Sequence, residues 1–149
     1  MKKLLFTSIM VIVVLLAGAN VPGDNSPETK AFKNFSKTYR DASDVKWDML
    51  RDGRVVCRFV QNGVMKRAIY NGNGGWVMTI AGYTEEHLPK DVWRQVHSVY
   101  YDFSILYASE INISGNPVAY LVQVRDKRTI RIVRVVDGEM EEIQEIETL

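Results

Sequence analysis

Short apolar runs separated by turn residues dominate the chain from Trp47 to Ile80. The runs are rich in Val, Ile, Met and aromatic residues, and turn residues interrupt them at positions 51–53, 62–63 and 71–75. Each interruption contains glycine, which is typical of the tight turns of β-hairpins. The pattern therefore predicts four short strands joined as a meander.

The Asn62-Gly63 turn predicts the register of the middle hairpin. A two-residue turn needs a positive φ at both positions, and Asn-Gly provides it. It places Arg58 opposite Arg67 on one side of the sheet. On the other side it places Phe59 opposite Lys66, Cys57 opposite Ala68 and Val55 opposite Tyr70.

Two loop lengths compete at the preceding turn, and a slip of one residue would send every side chain to the opposite face. A two-residue Asp52-Gly53 turn would place Lys46 and Asp48 on the apolar face, where both charges would lose water. A three-residue loop with Gly53 in the left-handed region instead adds Val45, Trp47 and Met49 to that face. We therefore predict the three-residue loop.

A helix is predicted before this meander, over 27–39. Ser26 can cap its first turn and Pro27 suits its first position. Apolar residues then recur at helical spacing with lysines between them, namely Ala31, Phe32, Phe35 and Tyr39.

The same order of elements is predicted a second time after Ile80. Leu88-Pro89 opens a second helix, whose Val92, Val96, Val99 and Tyr100 are predicted to share one face. Four strands follow at 105–113, 118–125, 129–136 and 139–146, with Tyr120, Val122 and Val124 turned toward the helix. The last strand is also compatible with a helix, because Met140, Ile143 and Ile146 are three residues apart.

The predicted fold class is α+β, a tandem repeat of a helix plus a four-stranded antiparallel meander. Its units are 20–83 and 84–149, which together form one compact domain. The pattern leaves two possibilities for the sheets, which are either separate or joined edge to edge. The helices are expected on one face, so that the other face stays open as the natural binding surface.

The N-terminus has the pattern of a secretory signal peptide. Lys2-Lys3 is followed by an apolar run over 4–16 and by Ala17-Gly18-Ala19, so cleavage is predicted after Ala19. The alternative is an uncleaved membrane anchor, but a span needs about 20 apolar residues and this run is shorter. The predicted location is the periplasm or the exterior, with no stable membrane anchor.

Charge and cysteine content argue against nucleic-acid binding and against an internal disulfide. Removal of Lys2 and Lys3 changes the formal charge from +1 to −1, which gives no basic excess for nucleic-acid binding. Cys57 is the single cysteine, so no internal disulfide can form, and it is predicted to be a small buried hydrophobe.

Turn and core residues resemble those of a known family. The matching positions are Asp44-Val45-Lys46-Trp47, Asn62-Gly63, Leu88-Pro89 and Asp137-Gly138. They resemble the PepSY-like, β-lactamase-inhibitor-protein-like family of exported bacterial proteins of the Bacteroidetes type. The resemblance implies the tandem-repeat fold and a cell-envelope location, and the family name suggests enzyme inhibition. Cys57 alone departs from true β-lactamase inhibitor proteins, which carry disulfides in both repeats.

No catalytic or metal-binding set can be assembled from the sequence. His87 and His97 are ten residues apart, which is not a metal-ligand spacing, and no cysteine pair accompanies them. We therefore predict a non-catalytic protein that needs no metal or cofactor.

A candidate binding surface follows from the predicted register. The open face would carry Lys46, Arg58 and Arg67 beside Met65 and Ile69, with Arg131 extending this basic patch opposite Gln123. One interpretation is that Asp48 and solvent screen these charges, and the other is that they bind a protein or peptide partner, as an inhibitor or regulator. A different hypothesis is a small-ligand or polysaccharide-binding protein in which Trp76 and Trp93 stack against sugars.

Overall fold

The computed structural model of the protein describes residues 26–148, and this part of the chain contains eight strands and two α-helices. The elements are, in order, α1 (Pro27–Thr38), β1 (Ser43–Met49), β2 (Val55–Gln61), β3 (Val64–Tyr70), β4 (Trp76–Tyr83), a 3-10 turn (Glu85–His87), α2 (Lys90–Val99), β5 (Ser104–Ile113), β6 (Ala119–Arg125), β7 (Thr129–Val136) and β8 (Glu139–Glu147).

All eight strands form one antiparallel sheet in the order β1 to β8. The predicted α+β tandem repeat of four-stranded units is therefore wrong, and the protein is mostly sheet. The reason is the direct pairing of β4 with β5, in which Met78 lies opposite Ile113 and Tyr83 lies opposite Ala108. This long-range ladder leaves no boundary between the first four strands and the last four.

The two hairpins formed by the first three strands have the predicted registers. Cys57 lies opposite Ala68 and Arg58 opposite Arg67, and Asn62 and Gly63 have φ values of 53° and 75°. The loop before β2 has three residues, because the Leu50 N–H donates to the Arg54 carbonyl at 2.8 Å. Both turn predictions are confirmed.

Both helices pack on the same side of the sheet, which we call the helix face. Ala31 and Phe35 of α1 share a core with Val55, Cys57, Phe59, Ala68 and Tyr70. Val92 and Val96 of α2 share a second core with residues of β4 to β7, including Ala81, Tyr83, Ala108, Val122 and Val133. Cross-strand pairing from Cys57 through Ala68 and onward to Val133 places all these strand residues on one face.

The helix ends follow local chemistry. The Ser26 hydroxyl accepts the Thr29 N–H at 3.2 Å, which caps α1 as predicted. Val99 was predicted on the buried face of α2, but its side chain is 55% exposed, so this prediction is wrong. Neither helix in residues 26–148 is long and apolar enough to cross a membrane.

The C-terminal segment is a strand, and the helical alternative is excluded. β8 pairs with β7 along its whole length, from Thr129 opposite Glu147 to Val136 opposite Glu139. The predicted signal peptide lies outside the described residues.

Candidate functional site

The side of the sheet that carries neither helix is the open face, and its centre is apolar. Ile69 pairs with Met78, which in turn lies opposite Ile113, and in the next row Ile80 lies opposite Ile111. With Leu121 these residues form a patch across β3 to β6, and each of them is partly exposed. We call this patch the central apolar band: Ile69, Met78, Ile80, Ile111, Ile113 and Leu121.

The predicted site did not include most of the central apolar band. A signal for it was present, because Met78 and Ile80 of β4 alternate with residues that turn out to be buried on the helix face. On β5, Ile111 and Ile113 alternate with Glu110 and Asn112, which are partly buried on the helix face. Sequence reasoning missed them because it followed charges, while only the β4–β5 pairing brings the two aliphatic pairs together.

Tyr107 of β5 lies over Gly82 of β4 at one margin of the band. A Cβ at Gly82 would collide with the Tyr107 hydroxyl, so glycine leaves room for the ring. The Tyr107 side chain is 44% exposed. Packing of an aromatic ring over a strand glycine covers backbone that would otherwise face solvent.

The predicted basic patch lies at the β1 to β3 end of the open face. Lys46 lies opposite Arg58, and Arg58 lies opposite Arg67. Asp48 pairs with Arg58 at 2.5 Å, whereas no carboxylate of residues 26–148 pairs with Arg67. Because Arg58 and Asp48 are both about half exposed, their ion pair contributes at most about 1 kcal/mol. A positive charge therefore remains at Arg67 beside the apolar band.

Met65 and Ile69 flank this patch on β3, as predicted. Met65 is 72% exposed, and it lies opposite Val60 and Gly82. A methionine in this position offers a flexible apolar contact that can adapt to a partner.

Arg131 does not extend the basic patch. It lies opposite Val124 on the helix face, with its guanidinium 5.4 Å from the ring centre of Phe103 and in ion pairs with Glu142 and Glu145. Gln123 is on the open face, but opposite Ile132. The structure thus places five of the predicted site residues together at one end of the open face: Lys46, Arg58, Arg67, Met65 and Ile69. Gln123 lies further along the same face. Arg131 is not on the open face.

A hydrogen-bonded carboxylate lies on the helix face. Glu110 accepts hydrogen bonds from the hydroxyls of Tyr83, at 2.8 Å, and Tyr120, at 3.2 Å. Burial, reinforced by the hydrogen bond to Glu110, raises the pKa of Tyr83. Burial and the charge of Glu110 raise the pKa of Tyr120 to about 12. Both phenols therefore remain donors at neutral pH, which suits a structural role.

Cys57 is fully buried in the core under α1, as predicted. Burial raises the pKa of its thiol to about 12, so the nucleophilic thiolate is scarce at neutral pH. Residues 26–148 contain no cluster of three or more His, Cys, Asp and Glu side chains that could hold a metal ion.

Trp76 and Trp93, the two tryptophans considered for sugar stacking, lie on different elements, β4 and α2, on the side of the helix face. The Trp76 indole N–H donates to the Thr79 hydroxyl at 3.0 Å, and the partly buried ring packs against the core under α1. The Trp93 indole N–H donates to Glu85, and its ring centre lies 4.2 Å from that of His97. Each indole N–H is therefore already used.

Solved structures with the same fold come from Bacteroides. A DUF2874 family protein from Bacteroides ovatus matches with a TM-score of 0.60 and 20% identity, over 84% of this chain and 89% of that one. A BLIP-like protein from Bacteroides fragilis matches with a TM-score of 0.62 and 17% identity, over 79% and 84%. No family model and no curated protein matches the chain.

These likenesses define the class of fold to which the chain belongs. The single antiparallel sheet of this chain matches the fold of these Bacteroides proteins with TM-scores of 0.60 and 0.62. The resemblance predicted from turn and core residues is thereby supported at the level of a BLIP-like fold. At 17 to 20% identity the likeness concerns the fold alone.

Proposed function

We propose that the protein is an exported, non-catalytic binding module that holds a protein partner against its open face. The observation that carries this proposal is the central apolar band, whose six aliphatic side chains are covered by neither helix. An exposed apolar patch bordered by polar residues is typical of a protein interaction site.

Charge at the two ends of the open face defines the chemistry of the partner. Lys46, Arg58 and Arg67 lie at the β1 to β3 end, while β8 at the far end presents Glu139 and Glu141. Arg134 pairs with Glu141 at 2.7 Å. A partner with an apolar patch and a carboxylate near Arg67 would complement this surface.

The fold comparisons support an exported binding role, and we propose that the protein acts in that role as an inhibitor or regulator. One neighbour is described as BLIP-like, and a Bacteroides eggerthii protein with a TM-score of 0.59 is provisionally described as periplasmic. Together with the predicted signal peptide over 1–19, they favour a location in the cell envelope. The partner would then be another envelope or secreted protein.

The test is affinity capture from the native cell envelope with the chain from Asn20, followed by measurement of Kd with the purified partner. We expect Ile80→Glu to weaken binding by about tenfold or more, because a buried charge would be desolvated in the interface. Val99→Glu is the matched control, since it adds the same charge to an exposed valine of α2. Equal effects of the two substitutions would contradict the proposal.

The basic patch is tested on the same partner. Arg58→Ser combined with Arg67→Ser should weaken binding and make the remaining Kd less dependent on salt. Arg134→Ser, on the same face but already paired with Glu141, is the control and should leave the salt dependence almost unchanged. An unaltered Kd in the double variant would show that the arginines are only a solvated surface.

The alternative function, binding of a small ligand or polysaccharide, is supported by one groove. It has a volume of about 440 Å³ and is lined by Trp76, Tyr39 and the amides Asn34 and Asn112, among others. An aromatic ring beside amides suits a sugar, although the Asn34 amide N–H₂ already donates to the Gly74 carbonyl at 2.8 Å. A shift of tryptophan fluorescence on adding envelope glycans, lost in Trp76→Phe, would favour this alternative.

A further inference from the structure

The two edge strands of the sheet differ in their ability to pair with another copy of themselves. β8 carries Glu139, Glu141, Glu142, Glu145 and Glu147, and two such strands side by side would repel each other. The outer edge of β1 lacks this protection. Its side chains are of mixed charge and include Trp47 and Met49, of which Met49 is 57% exposed.

The outer edge of β1 has backbone groups available for a further strand. The Leu50 N–H donates to the carbonyl of Arg54, which directly precedes β2. Along an antiparallel strand the backbone groups of successive residues point alternately to the two neighbouring sides. Leu50, Asp48 and Lys46 therefore face β2, while the N–H and C=O groups of Met49 and Trp47 face outward. The bulge between Ser43 and Lys46 limits the regular edge to this short stretch.

An apolar groove lies directly beside this edge. It has a volume of about 460 Å³, and its apolar walls come from Phe32, Trp47, Met49 and Val55. Phe32 is 56% exposed, and its ring centre lies 6.1 Å from that of Trp47. Helix α1 thus leaves the outer side of β1 uncovered.

We propose that two copies of this chain pair antiparallel along β1, with the two-fold axis at Trp47. In this register Lys46 lies opposite the second copy's Asp48, and Asp48 lies opposite the second copy's Lys46. The exposed Met49 and the groove beside it then lie against the second copy on the helix side and become buried. The two sheets become one continuous sheet in an isologous dimer.

Neighbouring registers are less favourable. Moving the two-fold axis from Trp47 to Asp48 places Asp48 opposite the second copy's Asp48. Moving it to Lys46 places Lys46 opposite the second copy's Lys46. Like charges directly opposed across a ladder are destabilising. A further shift toward the C-terminal end of β1 would require residues 51–53, which form the loop closed by Leu50 and Arg54. The register centred on Trp47 is thus both charge-complementary and confined to the strand.

The proposal is tested by sedimentation equilibrium with the chain from Asn20, which contains both helices and all eight strands. We expect a dimer at about 100 µM, in the range of weak specific association. Lys46→Asp alone, or Asp48→Lys alone, opposes like charges twice across the two-fold axis and should raise the dimer Kd by about tenfold or more.

Two rescue experiments separate this interface from simple misfolding. The double variant Lys46→Asp with Asp48→Lys restores opposite charges and should dimerise again. Mixing the two single variants should produce a heterodimer, because one chain then has two acidic positions and the other two basic ones. Glu141→Lys on β8 is the control and should leave the Kd within about twofold of the unmodified value.

Three results would overturn the proposal. The first is a chain that stays monomeric at every concentration tested. The second is a dimer that is unaffected by either single variant. The third is a mixture of folded single variants, as judged by circular dichroism, that does not associate.

Discussion

Arg58 of β2 and Arg67 of β3 lie directly opposite each other on the open face, and within residues 26–148 only Arg58 of the two has an acidic partner, Asp48. Two arginines in this relation repel each other across the ladder. A repulsive pair next to an apolar band fits the proposed binding surface, because functional sites often give up some stability for recognition.

Replacement of Arg67 should therefore stabilise the protein. We expect Arg67→Thr to raise the free energy of unfolding by roughly 0.2 to 1 kcal/mol at low salt, because the repulsion with Arg58 is removed. The gain should shrink as salt screens the charges. The control is Arg125→Thr, which makes the same change on a strand opposite Ser104 and Ile130. Urea denaturation that shows no difference between the two variants would contradict this account.

Gly74 is predicted to tolerate substitution far less well than Gly53. Both have φ values near +77°, at +76° and +79°, so alanine strains the backbone at either site. At Gly74, however, a Cβ would also collide with Lys30 and the first turn of α1, whereas nothing lies within 4 Å of a Cβ at Gly53.

We expect Gly53→Ala to cost about 1 kcal/mol and Gly74→Ala about 2 kcal/mol or more of the free energy of unfolding. The additional loss reflects displacement of α1 from the turn between β3 and β4. Equilibrium denaturation of the two variants measures the difference directly. Equal costs would show that α1 does not rest on this turn.

Stability should fall at alkaline pH through the buried phenols. Tyr120 has a pKa of about 12 in the folded protein against an ordinary value of 10.0, so its contribution is complete below pH 10 and is lost as the pH rises to about 12. Tyr120→Phe should make the decline of the unfolding free energy between pH 10 and 12 shallower.

The matched control for this pH effect is Tyr101→Phe, because Tyr101 is 79% exposed. This substitution should leave the decline of the unfolding free energy with pH as it is in the unmodified protein. Denaturant titrations at pH 9, 10, 11 and 12 provide the measurement, and identical slopes in Tyr120→Phe and the unmodified chain would refute the assignment.

Cys57 should be inert in the folded protein and intolerant of a hydroxyl. We expect Cys57→Ser to cost about 1 to 3 kcal/mol, because it buries a polar group in an apolar core, and Cys57→Ala to cost less than Cys57→Ser. A thiol reagent such as Ellman's reagent should label the native protein only as fast as it unfolds. Rapid labelling under native conditions would show that the thiol is accessible.

Local chemistry in the sequence was sufficient to predict the turns and the register of the first two hairpins. Asn62, Gly63 and Gly53 adopt positive φ values as their residue types favour, and these turns alone determine the register that places Arg58 opposite Arg67. The start of α1 was likewise predictable from Ser26 and Pro27, because capping is a local interaction.

The position of Arg131 shows where such local reasoning failed. In the turn between β6 and β7, the Asp126 carboxylate accepts the N–H groups of Arg128 and Thr129, and the Asp126 N–H donates to the Thr129 carbonyl, so Asp126 lies opposite Thr129. The register is therefore one residue away from the predicted one, which sends Arg131 to the helix face.

The sequence by itself thus determined which residues form strands, which turns join neighbouring strands and which side of each early strand is apolar, since all of these depend on residues close together in the chain. Only the tertiary structure decided that β4 pairs with β5, that all eight strands therefore form one sheet, and that Ile80 lies beside Ile111 in the central apolar band. That pairing joins segments about 30 residues apart across a helix, and hydrophobic periodicity is the same whichever partner a strand finds.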